Sequence, residues 1–162
     1  MAQLDDLAEK IAQKLIERHE SVAVAESSAG GLISAALLRV AGASAYYKGG
    51  VVVYTGDGKQ ALAGMTPDQL AQHRSATAPH TLMLSQTIQK RLGATWGIAE
   101  TGAAGPTGNR YGDAAGHAAI AIAGPAEQTE IIETGHGDRR KNMEQFAAGA
   151  LGLLLSALDG KA

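Results

Sequence analysis

Glu26-Ser27-Ser28-Ala29-Gly30-Gly31 stands where a short apolar run, Ser21–Ala25, stops and an apolar helical pattern begins. A strand end, two hydroxyls, two glycines and a helix start make a turn where acyl chemistry is feasible. Either serine can supply a nucleophile. The N–H groups near Gly30 and Gly31 can stabilise an oxyanion, because helix-start N–H groups lack intrahelical acceptors. The same residues also suit a tight, capped corner with no chemistry.

Three other segments carry comparable chemistry. Tyr54-Thr55-Gly56-Asp57-Gly58-Lys59 brings a lysine around a glycine-bearing turn. A lysine acts as a base near neutrality only if burial or another cation lowers its pKa to about 7–8; taken alone, this turn reads as exposed and its lysine as solvated. Glu100–Gly116 follows a strand with five glycines and a proline, so it is either a ligand loop at a strand end or a surface insertion. It carries neither a Walker pattern nor a dinucleotide fingerprint. Gly137-Asp138-Arg139-Arg140-Lys141 starts the last helix with a good N-cap and then three cations, against the helix dipole. A bound phosphate or carboxylate at Arg139 would resolve that conflict, as would a simply solvated helix start. The five histidines show no metal-ligand spacing, and no metal is expected; His117 and His136 border the loop and the basic helix start.

The elements that hold these segments follow from periodicity. Helices are predicted over residues 4–18, 32–40, about 79–92 and about 139–158. A capping box at Thr66-Pro67-Asp68-Gln69 starts another, and Gly93 stops the 79–92 helix. Strands are predicted at 21–25, 50–55, 95–99, 117–123 and 128–134, the last two joined as a hairpin by Gly124–Glu127. Val51-Val52-Val53 reads as too apolar to face water on either side. The expected fold class is α/β: a layered α/β/α domain over residues 1–162, with a mixed, mostly parallel sheet of about five to six strands. The 21 glycines and single phenylalanine imply close backbone packing rather than a bulky aromatic core.

Net charge −2 argues against broad nucleic-acid or membrane-surface binding. No run is long enough to span a bilayer, and the acidic start MAQLDDLAEK is unlike a signal peptide, so a cytoplasmic protein is expected. With no cysteine, disulfides, thiolate zinc sites and cysteine nucleophiles are excluded.

Taken together and in order, these motifs resemble the C-terminal domain of the CinA (competence/damage-inducible) family. That family's Glu-Ser-Cys-Thr-Gly-Gly turn is Glu26–Gly31 here, and its Gly-Ser-Ser-Ala is Gly42-Ala43-Ser44-Ala45. Its Tyr-Ser-Asn-x-x-Lys is Tyr54–Lys59, its Gly-x-Ala-Gly-Pro-x-Gly loop is Gly102–Gly108, and its Gly-Asp-Arg is Gly137–Arg139. The chain departs from the pattern at Ser28, Ala29, Gly56, Asn109 and Tyr111–His117. The resemblance implies hydrolysis of nicotinamide mononucleotide to nicotinic acid mononucleotide and ammonia. Ser27 would be the nucleophile, activated by Tyr54 and Lys59. Gly30, Gly31, Thr101, Gly102, Gly105 and Arg139 would bind the nucleotide. No metal or organic cofactor is implied, and the expected partners are a small nucleotide substrate and a second copy of the chain, as a homodimer or other homo-oligomer. Two other readings use the same residues: a non-catalytic nucleotide- or phosphate-binding module, and a structural subunit whose glycine loop makes an interface.

Overall fold

A computed structural model describes residues 1–160. The chain runs α1 (Ala2–Glu17), β1 (Val22–Glu26), α2 (Leu32–Arg39), β2 (Tyr47–Val52), a single turn α3 (Gly56–Gly58), and a π-helical turn at Lys59–Ala63. Then come α4 (Pro67–Gln72), α5 (Ala78–Leu92), β3 (Trp96–Ala103), β4 (His117–Ala123), β5 (Gln128–Glu133) and α6 (Arg139–Leu158). The sheet has five strands in the order β2-β1-β3-β4-β5. β1 pairs in parallel with β2 and β3, while β3–β4 and β4–β5 are antiparallel. Only β4 therefore opposes the common strand direction, which gives the mixed sheet read from the sequence.

Helices cover both faces. On one, Val22, Val24, Ile98 and Ile120 pack with Leu4, Ile11 and Leu15 of α1, Ile33 and Leu37 of α2, and Phe146 and Leu151 of α6. On the other, Ala23, Ala25 and Ala99 pack with Leu84 and Ile88 of α5. The small residues on that second face let α5 lie close: a Cβ at Gly97 would collide with the Ser85 carbonyl. β1 and β4 are buried along their whole length, as their unbroken apolar runs require. The Thr66 capping box is complete, and Gly93 caps α5 in the left-handed conformation.

Two expectations are corrected. The valine run does not form a doubly covered strand. β2 starts earlier, at Tyr47, and is an edge strand with alternate residues exposed; Val52 is 47 % exposed, and only Val53, just past its end, is fully buried. β3 also runs on through Glu100 and Thr101 to Ala103, so the glycine loop starts at Ala104 rather than Glu100.

A candidate hydrolytic cleft at the sheet's carboxyl edge

β1 ends at Glu26, opposite Glu100 in register, and β3 runs on beyond it to Ala103. Both glutamates are fully buried, and each has been given acceptor work by the backbone next to it. Glu26 Oε2 accepts from Ile33 N–H at 3.1 Å, and its Oε1 from Ser34 N–H at 3.0 Å and Ser34 Oγ at 2.7 Å. The N-terminus of α2 thus already has an acceptor for its free N–H groups, supplied by the chain itself. Glu100 Oε2 accepts from Ser27 N–H at 3.1 Å and Ala29 N–H at 2.8 Å, while Ser28 Oγ donates to Oε1. Burial pushes the Glu100 pKa up to about 7; these three donors pull against it, and neighbouring Glu26 adds to the rise.

Gly30 N–H donates to Ser27 O at 3.1 Å, and the α2 start donates to Glu26. Neither Gly30 nor Gly31 lines the cleft described next; they shape the turn instead, at φ +67° and +98°. The first N–H groups of α2 itself, those of Ile33 and Ser34, are taken by the Glu26 side chain.

Ser28 points into the protein toward Glu100, whereas Ser27 lines a cleft of about 340 Å³. Its walls also include Tyr54, Lys59, Ser75, Thr101, Gly102, Asn109, Arg110 and Tyr111. A second hollow of about 200 Å³ adjoins it, sharing Tyr54, Gly102 and Asn109 and adding Gly105 and Arg139. The structure therefore gathers Ser27, Tyr54, Lys59, Thr101, Gly102, Gly105 and Arg139 around one trough.

Lys59 is not a solvated turn residue. Thr55 accepts from Gly58 N–H and starts α3, and the wider π-helical turn that follows rotates Lys59 inward to 3 % exposure. Its Nζ donates to Ser75 Oγ at 2.7 Å and lies 2.9 Å from His80 Nε2. Burial lowers its pKa to about 8, against the opposing pull of Glu100. His80, also buried, lies with Nδ1 3.0 Å from the His73 carbonyl. A carbonyl only accepts, so Nδ1 carries the proton and Nε2 faces Lys59 as an acceptor. Burial and the lysine charge hold His80 down at about 4, so it is neutral at physiological pH.

Tyr54 stands at the rim, 65 % exposed, and its hydroxyl accepts from Arg139 Nη2 at 3.2 Å. Arg139 Nη1 also donates to Gly105 O at 2.6 Å, so the cation at the start of α6 ties the glycine loop to the segment after β2 that carries Tyr54. Asp138 caps α6 and pairs with Lys141 at 3.3 Å, which accounts for part of the dipole conflict there. Thr101 Oγ1 accepts from Ala76 N–H at 3.0 Å and bonds Thr81 Oγ1 at 2.7 Å, fixing Ser75–Ala76 against β3.

The loop wall is braced from the same side. Arg74 grips Asp113 with two nitrogens, at 2.7 and 3.0 Å, and its guanidinium lies 5.1 Å from the centre of the Tyr111 ring. These bonds hold the Asp113 carboxyl well below its ordinary range, at about 2. His117 bonds the Ala76 carbonyl with Nε2 at 2.8 Å and Glu133 with Nδ1. Burial disfavours its charge, but those two acceptors and Asp113 outweigh it and raise the pKa. His117 is thus a brace beneath the loop, and His136 pairs with Gln145 at 3.1 Å outside the cleft. Among the described residues no cluster of three or more His, Asp or Glu could hold a metal ion. No described helix is long and apolar enough to cross a membrane.

Sequence reasoning missed Glu100, His80 and Ser75. Glu100 had a signal: a lone carboxylate ending an apolar strand run. His80 and Ser75 had none, because their meeting with Lys59 depends on the fold.

Residues 4–158 match the model of the CinA C-terminal domain. A CinA-like protein of Anaeromyxobacter dehalogenans (strain 2CP-C) is 36 % identical over 154 residues, 95 % of this chain and 38 % of that protein. One from Prochlorococcus marinus (strain MIT 9313) is 41 % identical over 121 residues, 75 % of this chain and 28 % of its own length. The chain thus spans well under half the length of these relatives. Among solved structures, a CinA superfamily protein from Klebsiella pneumoniae 700603 superposes with a TM-score of 0.90 at 28 % identity, covering 97 % of this chain and 98 % of that one. A competence/damage-inducible protein from Agrobacterium tumefaciens gives 0.87 at 28 % identity, covering 97 % and 96 %.

Proposed function

The chain belongs to the CinA C-terminal domain family, and from its cleft we propose that it is an amidohydrolase for a small phosphorylated amide, with nicotinamide mononucleotide as the first candidate. The observation that carries this reading is the pairing of a cleft-lining serine with a buried, partly neutral lysine in one cleft.

In the proposed reaction Ser27 Oγ attacks the carboxamide carbon. The Ser27 proton passes to the neutral Lys59 amine, and the carbonyl π electrons move to oxygen. The tetrahedral intermediate then faces the ammonium just formed on Lys59, which opposes its charge. Collapse breaks the C–N bond, and Lys59 returns the proton so that ammonia departs. Water, deprotonated by Lys59 in turn, cleaves the acyl ester and regenerates Ser27. Arg139 and the Tyr54 hydroxyl border the adjoining hollow, where a phosphate has a cation and a hydrogen-bond donor within reach. No metal or organic cofactor enters this scheme. A cytoplasmic location and assembly as a homo-oligomer belong to the same proposal.

The test is ammonia release across a panel of small amides, beginning with nicotinamide mononucleotide. The competing reading, a binding module without chemistry, predicts thermal stabilisation by the nucleotide with no product. At a tenfold excess over Kd that stabilisation is about 1.4 kcal/mol.

A further inference from the structure

The contacts of Lys59 go beyond making it a candidate base. A neutral primary amine has two N–H bonds and one lone pair, arranged tetrahedrally about nitrogen with the side-chain carbon. Lys59 Nζ donates to Ser75 Oγ at 2.7 Å. At 2.9 Å it meets His80 Nε2, which must accept because Nδ1 is turned to the His73 carbonyl at 3.0 Å. The two partners come from different elements: Ser75 from the α4–α5 connection and His80 from the first turns of α5. His80 is 1 % exposed, so its ring is held by packing as well as by the His73 bond.

We propose that His80 is a positioning residue for Lys59: together with Ser75 it takes both N–H bonds of the neutral amine, which leaves the lone pair turned toward the cleft and Ser27. The proposal rests on the reading of Lys59 as proton acceptor. It adds a reason why the histidine tautomer matters. With Nε2 protonated instead, the ring would present a donor to the amine, capture its lone pair and leave the base occupied. The His73 carbonyl prevents this by holding the proton on Nδ1. The other titratable groups facing this pair are Glu100 from β3 and the His73 side chain.

The experiment compares the wild-type chain with His80→Leu, which fills much of the space without an acceptor, and His80→Gln, whose side-chain oxygen can take the same N–H. The Lys59 side-chain titration is followed by NMR on lysine-labelled protein, and ammonia release is measured in parallel. In His80→Leu, kcat falls about tenfold or more while KM stays within about twofold, because only proton transfer is misaligned. The Lys59 titration moves to lower pH, because the ammonium has lost an acceptor. His80→Gln restores most of both. A folded His80→Leu with wild-type titration and wild-type kcat overturns the proposal, and so does a glutamine variant no better than the leucine one. If the leucine variant does not fold, His80→Asn, too short to reach Nζ, takes its place in the comparison. If the wild-type chain releases ammonia from no amide, the proposed function falls. The NMR titrations then decide by themselves whether His80 positions Lys59.

Discussion

Replacing Glu100 by glutamine isolates the electrostatic cost of the turn that carries Ser27. Glu100 is fully buried, and its pKa rises from 4.5 to about 7 on folding. The folded chain therefore binds the Glu100 proton more tightly than the unfolded chain does. Stability from this group is present in full below the unfolded value and is lost as pH rises through the folded one. At about 1.4 kcal/mol per pKa unit, the loss amounts to about 3 kcal/mol. Glutamine keeps the shape: its oxygen can accept from Ser27 and Ala29 N–H, and its amide can donate to a rotated Ser28 hydroxyl. It cannot ionise.

The Glu100→Gln protein is therefore expected to match wild type near pH 4.5 and to exceed it by about 3 kcal/mol at pH 8. For a chain of this size that is roughly 6–12 °C in Tm. His117, with its raised pKa, tilts the wild-type curve the same way, and Lys59 tilts it the opposite way above about 8. The informative quantity is thus the difference between the two proteins at each pH, measured by urea or thermal denaturation. Parallel curves, within about 1 kcal/mol from acid to alkaline pH, would refute the claim that Glu100 carries a buried charge at the cleft.

Other consequences concern the site and its turn. Turnover needs Lys59 neutral, so the rate should rise with pH and reach half its plateau near about 8; a rate that falls across this range in a pH–kcat profile contradicts the assignment of the base. Arg139→Ala removes the bonds to Gly105 O and the Tyr54 hydroxyl; it should raise KM for a phosphorylated amide about tenfold or more, the value of a charged hydrogen bond, with kcat changed less. Gly30→Ala puts a Cβ 2.7 Å from Met143 Cε at φ +67°; thermal denaturation should show a loss of about 1–2 kcal/mol from the backbone conformation alone.

The layers, the helix caps and the β4–β5 hairpin were legible in the sequence because each rests on local periodicity or on a turn of few residues. The site was legible only in part. The Ser27-Ser28 pair and Arg139 stand out at element boundaries, where chemistry-bearing groups can reach a cleft, and only the family resemblance singles out Ser27 of the two serines. Lys59 looked solvated because Gly56-Asp57-Gly58 reads as an exposed turn; a π-helical turn has no strong sequence signature, yet it rotates the lysine inward. The apolar run reads as a strand over 95–99, which puts Glu100 at the start of the loop. In the structure its three donors, all from the Ser27–Ala29 turn, let the strand continue through it. The acceptor at the α2 start is Glu26, six residues upstream of the helix and folded back over it. Side-chain returns of that kind leave no mark in hydrophobic periodicity.

The central claim is that Ser27, served by Lys59, opens a carboxamide. Ammonia release from nicotinamide mononucleotide by the wild-type chain and by Ser27→Ala, measured side by side near pH 8, tests it most directly. The account predicts steady release by the wild type and a loss of at least about 10³-fold in the alanine variant. Release by a folded Ser27→Ala protein at a rate comparable to wild type would contradict it.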